Sequence, residues 1–213
     1  MRFHFGAVPK DPDFLPETEG WSAVRELGPW MIQFIAMPVS FVLLLLSGGL
    51  LYLVFPREFL FTQPLTISML CAPTWVWMLF LLIPIHEFLH AVCHPGWGFS
   101  SNSVIGFWPS KVLVYAHYEG MMSRNRFLLT IAMPYIILAL LPIPLIAVSQ
   151  IFGWTLIVVV ALAYLSAIGS VLACGDAVVF WVIISQIPTP AIVRNKGWKT
   201  YWKPAVPDEG SLG

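Results

Sequence analysis

The sequence predicts an all-α membrane protein of about four transmembrane helices, with a small β-hairpin between the second and the third. Three observations carry that expectation. Of the 213 residues, 58% are apolar and only 10% are charged, where ordinary soluble domains carry roughly a quarter charged. The mean hydropathy is +0.80. Four stretches are apolar over the roughly twenty residues that a bilayer span requires, namely 30–55, 66–93, 127–150 and 154–186.

Residues 1–29 precede the first span. They are polar, mixed in charge and interrupted by Pro9, Pro12 and Pro16, without the short apolar core and small-residue cleavage site of a secretory signal. They read as a cytosolic amino-terminal segment. Residues 30–186 read as the transmembrane domain, its spans joined by short connections at 56–65 and 151–153. The longer loop 94–126 contains SVIGF and KVLVYAHY on either side of Trp108-Pro109-Ser110, a strand–turn–strand pattern. Pro134, Pro142 and Pro144 make a straight third span unexpected. Residues 187–213, with Trp198, Tyr201 and Trp202 among lysines, read as a cytosolic interfacial tail with a disordered end.

Charge sets the expected orientation. Four spans place both termini and the 94–126 loop on one side, which holds every lysine and arginine except Arg57. That asymmetry predicts a multi-pass cell-membrane protein with both termini cytosolic. The formal net charge is zero and the basic residues form no patch, so no nucleic-acid partner is implied. Cys71, Cys93 and Cys174 fall in apolar stretches at irregular spacing, which suits buried free thiols rather than a disulfide framework or a thiolate cluster.

Ionisable groups at membrane depth are costly and need a reason. The four stretches hold His86, Glu87, His90 and Asp176. His86 and His90 stand four apart, so both imidazoles project from one helix face about 6 Å apart along the axis, within reach of one metal ion. Glu87 lies beside them as the candidate base. His-Glu-x-x-His on a helix is the pattern in which two histidines bind zinc and the glutamate activates water. The bland alternative is a pair of structural histidines bonded between helices with Glu87 as their partner.

A catalytic zinc takes three protein ligands and keeps one position open. Asp176 is the best candidate for the third, since it sits at a similar depth, towards the cytosolic leaflet. The small Gly169, Ser170, Ala173 and Gly175 near it allow close helix approach. A lone acid pairing with another helix is the alternative. His94 precedes Pro95 and reads as interfacial; His117 and Glu119 fall in the hairpin loop and read as solvated; Cys93 reads as packing. The longer zincin pattern with a third histidine would need one at position 96, which is Gly96. Pro84 removes a backbone donor just before His86 and should kink the helix there.

HEFLH at 86–90, the segment IGFWPSKVLVYAHYEG, the helix entry SRNRFLLTIAMP and ACGD at 173–176 occur in an order that resembles the membrane-embedded zinc metalloproteases of the site-two-protease kind. More closely, the chain resembles a bacterial and archaeal family of zincin peptidases. The resemblance covers roughly residues 80–185. It implies that His86, His90 and Asp176 ligate Zn2+ and that Glu87 activates water. The better-known site-two proteases place their aspartate in an Asn-Pro-Asp-Gly or Leu-Asp-Gly setting, whereas Asp176 follows Ala-Cys-Gly.

The expected function is therefore intramembrane zinc-dependent peptide hydrolysis acting on a membrane protein or peptide within the lipid bilayer. The same residues would equally serve a zinc hydrolase of a lipid or small amphiphile. A non-catalytic metal-binding or transport protein needs a further polar path across the membrane, and the sequence has none. An inactive scaffold has no use for Glu87.

Overall fold

The computed structural model describes residues 1–57 and 64–205; the side chains of Pro29 and of residues 64–76, Cys71 among them, and the end of the tail lie outside the described part. In chain order the elements are β1 (Arg2–Phe5), β2 (Ser22–Ala23), α1 (Pro29–Val54), α2 (Pro64–Val92), β3 (Ser103–Trp108), a 3-10 turn (Pro109–Lys111), β4 (Leu113–Tyr118) and β5 (Met121–Ser123). There follow α3 (Arg124–Pro134), a π-helical stretch (Tyr135–Leu140), α4 (Pro142–Phe152), α5 (Leu156–Leu172), α6 (Cys174–Gln186), β6 (Ala191–Lys196) and β7 (Lys199–Pro204).

This corrects the all-α, four-span expectation. Among the described residues the strands form two sheets, one of three strands in the order β1-β3-β4 and one of four in the order β2-β7-β6-β5. Among the described residues two helices are long and apolar enough to cross a membrane, Trp30–Val54 and Arg124–Phe152. A third is obtained only if α5 and α6, bent by 51°, are taken together, and the described apolar stretch Trp77–Val92 is shorter than a span. The physical reason is that a hydropathy window measures apolar length and is blind to breaks such as the one at Ala173. It is equally blind to strands whose partners lie far away in sequence.

The expected hairpin is present, with Ser103 opposite Tyr118 and Trp108 opposite Leu113. Its turn closes on Val112 in the left-handed conformation, φ 48°. The proline-rich third stretch is indeed not a plain α-helix. Pro142 has no N–H to return to the carbonyl four residues back, and the backbone instead closes a wider turn, Leu141 N–H bonding to the Ile136 carbonyl at 2.9 Å. Residues expected in an interfacial tail form β6 and β7, antiparallel from Ala191 opposite Pro204 to Lys196 opposite Lys199, with Gly197 at φ 60° in the tight turn.

The chain divides into two compact units. One comprises Met1–Gly28, Glu87–Ile131 and Val179–Gly213; the other comprises Pro29–His86 and Ala132–Val178. In the first, Tyr118, Met122, Phe127, Ile131, Ile183 and Val193 belong to one buried apolar cluster. Phe14, fully buried, meets Trp21 and Tyr201 edge-on with centroids 5.3 and 5.8 Å away. The Arg194 guanidinium stacks 4.2 Å above the Phe14 ring and bonds Asp11 at 2.6 Å, which fastens the amino-terminal segment to β6.

The second unit is helical. Gly169 on α5 sits so close to Leu138 that an added Cβ would come within 2.7 Å of its backbone, whereas nothing crowds Gly175. Of these two glycines, Gly169 is the one whose small size permits a close approach. Ser166 donates to the Ala139 carbonyl at 2.7 Å and Ser170 to the Ser47 hydroxyl at 2.8 Å, which satisfies polar groups inside an apolar packing. Only 11% of the most apolar window of Trp30–Val54 is buried. A helix this apolar and this exposed is suited to lipid rather than to water.

Candidate metal centre

The metal-ligand pattern lies near the end of α2. His86, Glu87 and His90 each offer a donor atom, and these atoms lie within 4.8 Å of one another. That closeness follows from helix geometry, since residues one and four apart fall within a single turn. The helix supplies residues to both units: His86 closes a segment of the second, and Glu87 opens one of the first.

Within the second unit, His86 Nε2 lies 2.9 Å from Asp176 Oδ2. Asp176 occupies the first turn of α6, immediately after the break at Ala173, where the helix dipole favours a carboxylate. Two tetrahedral zinc ligands, each at about 2.0–2.1 Å from the metal, lie about 3.3 Å apart. His86 and Asp176 are therefore within a few tenths of an ångström of the spacing that a shared ion requires.

Within the first unit, His90 Nδ1 is 2.7 Å from the Thr130 carbonyl. A carbonyl only accepts, so Nδ1 carries the proton and the lone pair is left on Nε2, the state in which a histidine ligates metal. Glu87 Oε2 accepts the Ala116 N–H at 2.8 Å. Ala116 stands in β4, which is at the edge of the three-stranded sheet among the described residues, so the candidate base is in contact with a strand whose outer side pairs with no described strand. Arg126 donates to the carbonyls of Cys93 and His94, both at 2.9 Å, and so satisfies acceptors left over at the end of α2. Two imidazoles and neighbouring carboxylates are the donor set that zinc takes, and the residues present fit it.

The structure thus brings His86, Glu87 and His90 together and sets Asp176 against His86. The other candidates are differently placed. His94 is buried rather than interfacial, its Nδ1 2.7 Å from the Ser103 hydroxyl and its ring 5.2 Å from that of Tyr118. His117 is buried, not solvated, and its Nε2 has no hydrogen-bond partner among the described residues. Glu119 forms an ion pair with Arg2. Cys93 is a buried free thiol, and Cys174 is free and half-buried. Sequence reasoning misses Thr130 and Ala116, which act through backbone atoms that leave no trace in residue type. Arg126 reads from the sequence only as one of the basic residues of the 94–126 loop.

Burial pushes the His94 imidazole down to about 3, helped by the positive charges that His90, His117 and Arg126 can carry. Burial and Arg2 push His117 down to about 4. Both rings are neutral when folded at pH 7. Between the unfolded value of about 6.5 and these lower values the unfolded chain binds protons that the folded chain does not. Stability therefore falls as pH drops through that window. Replacing His117 with Asn is expected to make the decline in denaturation midpoint between about pH 6.5 and 4 shallower; an unchanged acid limb would remove His117 from this account.

The family model described as "Putative zincin peptidase" matches residues 79–191. No curated protein matches the chain. No solved structure matches it either.

Proposed function

We propose, for a chain that belongs to the zincin peptidase family, that it is a membrane-embedded zinc metallopeptidase in which His86, His90 and Asp176 hold the metal and Glu87 is the general base. The observation that carries this reading is the position of Glu87. It shares a helical turn with two imidazoles and touches an edge-strand amide.

When bound, zinc supplies the Lewis acidity that makes a water easy to deprotonate and a carbonyl easy to attack. The residues then divide the work. Thr130 holds the His90 ring in one tautomer and orientation. Glu87 takes a proton from water and returns it to the leaving amine. An extended substrate segment pairing with β4 would place a carbonyl at the Ala116 N–H, which Glu87 takes in the free protein. A peptide presents such a carbonyl at every residue and a lipid ester has no strand to pair, so the edge contact favours peptide over lipid.

The apolar helices support membrane embedding. Strand pairing joins the amino-terminal segment, the 94–126 loop and the segment after α6, and the predominance of basic residues in these segments supports cytosolic termini. Purified in detergent, the protein is expected to cleave a single-span membrane protein, to stop when a chelator removes zinc and to recover when zinc is restored. Cleavage that persists in chelator, or hydrolysis of lipid esters alone, would contradict the assignment.

A further inference from the structure

Residues 95–110 contain no acidic, basic or histidine residue. Within that run Trp97 is 73% and Phe99 83% exposed. The loop that displays them is fixed. Gly96, Trp97 and Gly98 all have positive φ, 72°, 56° and 78°. Gly98 N–H bonds the His94 carbonyl at 3.3 Å and Phe99 N–H bonds the Gly96 carbonyl at 3.1 Å. A Cβ on Gly98 would lie 2.5 Å from the Ala91 carbonyl oxygen, so only glycine lets the loop fold back onto the end of α2. A non-glycine residue in the left-handed region is strained, and at Trp97, φ 56°, that conformation holds an indole out into the surroundings.

The loop abuts the three-stranded sheet. A Cβ on Gly98 would also meet the Met1 side chain at 3.2 Å, which sets the start of β1 against the loop. Parallel pairing then places Phe3 beside Ile105 and Phe5 beside Phe107, with the Phe5 and Phe107 rings 6.0 Å apart. Phe3 and Phe5 are 85% and 77% exposed. With His4, Ile105, Gly106, Phe107 and Val114 they line a shallow groove, in which His4 is the one titratable residue. Strand alternation turns Arg2 to the opposite face, where it meets Glu119.

An exposed, largely apolar aromatic surface is costly in water, while tryptophan is enriched at the bilayer interface and tryptophan and phenylalanine make up the membrane-facing side of interfacial segments. The loop starts directly after α2, whose stretch Trp77–Val92 is apolar, and the chain also carries helices apolar enough for a bilayer. We propose that this face of the first unit, with Trp97, Phe99, Phe3 and Phe5 at its rim, lies in the headgroup region of the membrane. The end of α2 with Glu87 and His90 then works at the membrane surface, and peptide bonds are met there rather than at the bilayer centre. The placement is independent of whether the protein is a peptidase.

The test uses the full chain with Cys71, Cys93 and Cys174 replaced by Ala and one cysteine introduced as Phe3→Cys, Phe99→Cys or Glu17→Cys. Each is labelled with an environment-sensitive fluorophore and reconstituted into phosphatidylcholine vesicles. Labels at 3 and 99 are expected to emit at shorter wavelength than the label at 17 and to lose most of their intensity when lipids brominated near the glycerol are used. The label at the exposed Glu17 should respond to aqueous iodide instead. Iodide quenching at 3 or 99 equal to that at 17 would overturn the proposal. Should the cysteine-free chain not reconstitute, a photoreactive phenylalanine at 99 in the otherwise native chain takes its place: crosslinking to lipid supports the placement, and failure to crosslink overturns it.

Discussion

Replacing Glu87 with Gln is expected to lower peptide turnover by about 10²–10⁴-fold, the usual worth of a positioned general base, with zinc content unchanged. The substitution suits the test because its other consequences are small. A glutamine has the same length and still offers an oxygen to the Ala116 N–H that the carboxylate meets at 2.8 Å. The turn of α2 and the edge of β4 should keep their contact. What disappears is the ability to accept and return a proton near neutral pH. Measuring kcat beside metal content and thermal midpoint separates the possibilities. Lost turnover with zinc and midpoint intact assigns Glu87 the base role; full turnover would remove it from the mechanism; loss of the fold would identify the contact with Ala116 as structural.

Local chemistry was legible in the sequence, and assembly was not. The metal-binding pattern at 86–90 is contiguous, so helical periodicity alone places its side chains within one turn. The hairpin at 103–118 was readable because strand alternation brackets Trp108-Pro109-Ser110. The two sheets were not, because β1 pairs with β3 about a hundred residues away and β2 with β7 still farther. Strands of two to six residues leave little periodic signal. Gly197 between IVRNK and KTYWK was the available sign of the second hairpin, masked by the lysines and aromatics that also mark an interfacial tail. The break before Asp176 was likewise hidden, since residues 154–175 contain no proline and no charge to mark it. It matters for the candidate site, since it makes Asp176 a first-turn residue of α6 rather than a mid-span acid.

Replacing His86, His90 or Asp176 with Ala is expected to take bound zinc from about one per chain to near zero. The three variants carry different weight. Loss at His86 and His90 follows from the helical pattern, whose donor atoms already lie within 4.8 Å. Asp176 rests on its 2.9 Å approach to His86 Nε2, a distance that also suits a carboxylate whose task is to orient the imidazole. The two roles differ in magnitude. Removing an orienting partner weakens metal affinity by about 10–100-fold and leaves a site that fills when zinc is raised. Removing one of three ligands leaves two imidazoles, below the ligand number that catalytic zinc sites use, and the site should stay empty at the same zinc concentration. Titrating zinc into Asp176→Ala and following bound metal by elemental analysis therefore decides between them. A site that fills at higher zinc makes Asp176 the positioning residue of His86 and sends the search for the third ligand elsewhere, whereas a site that stays empty completes the set.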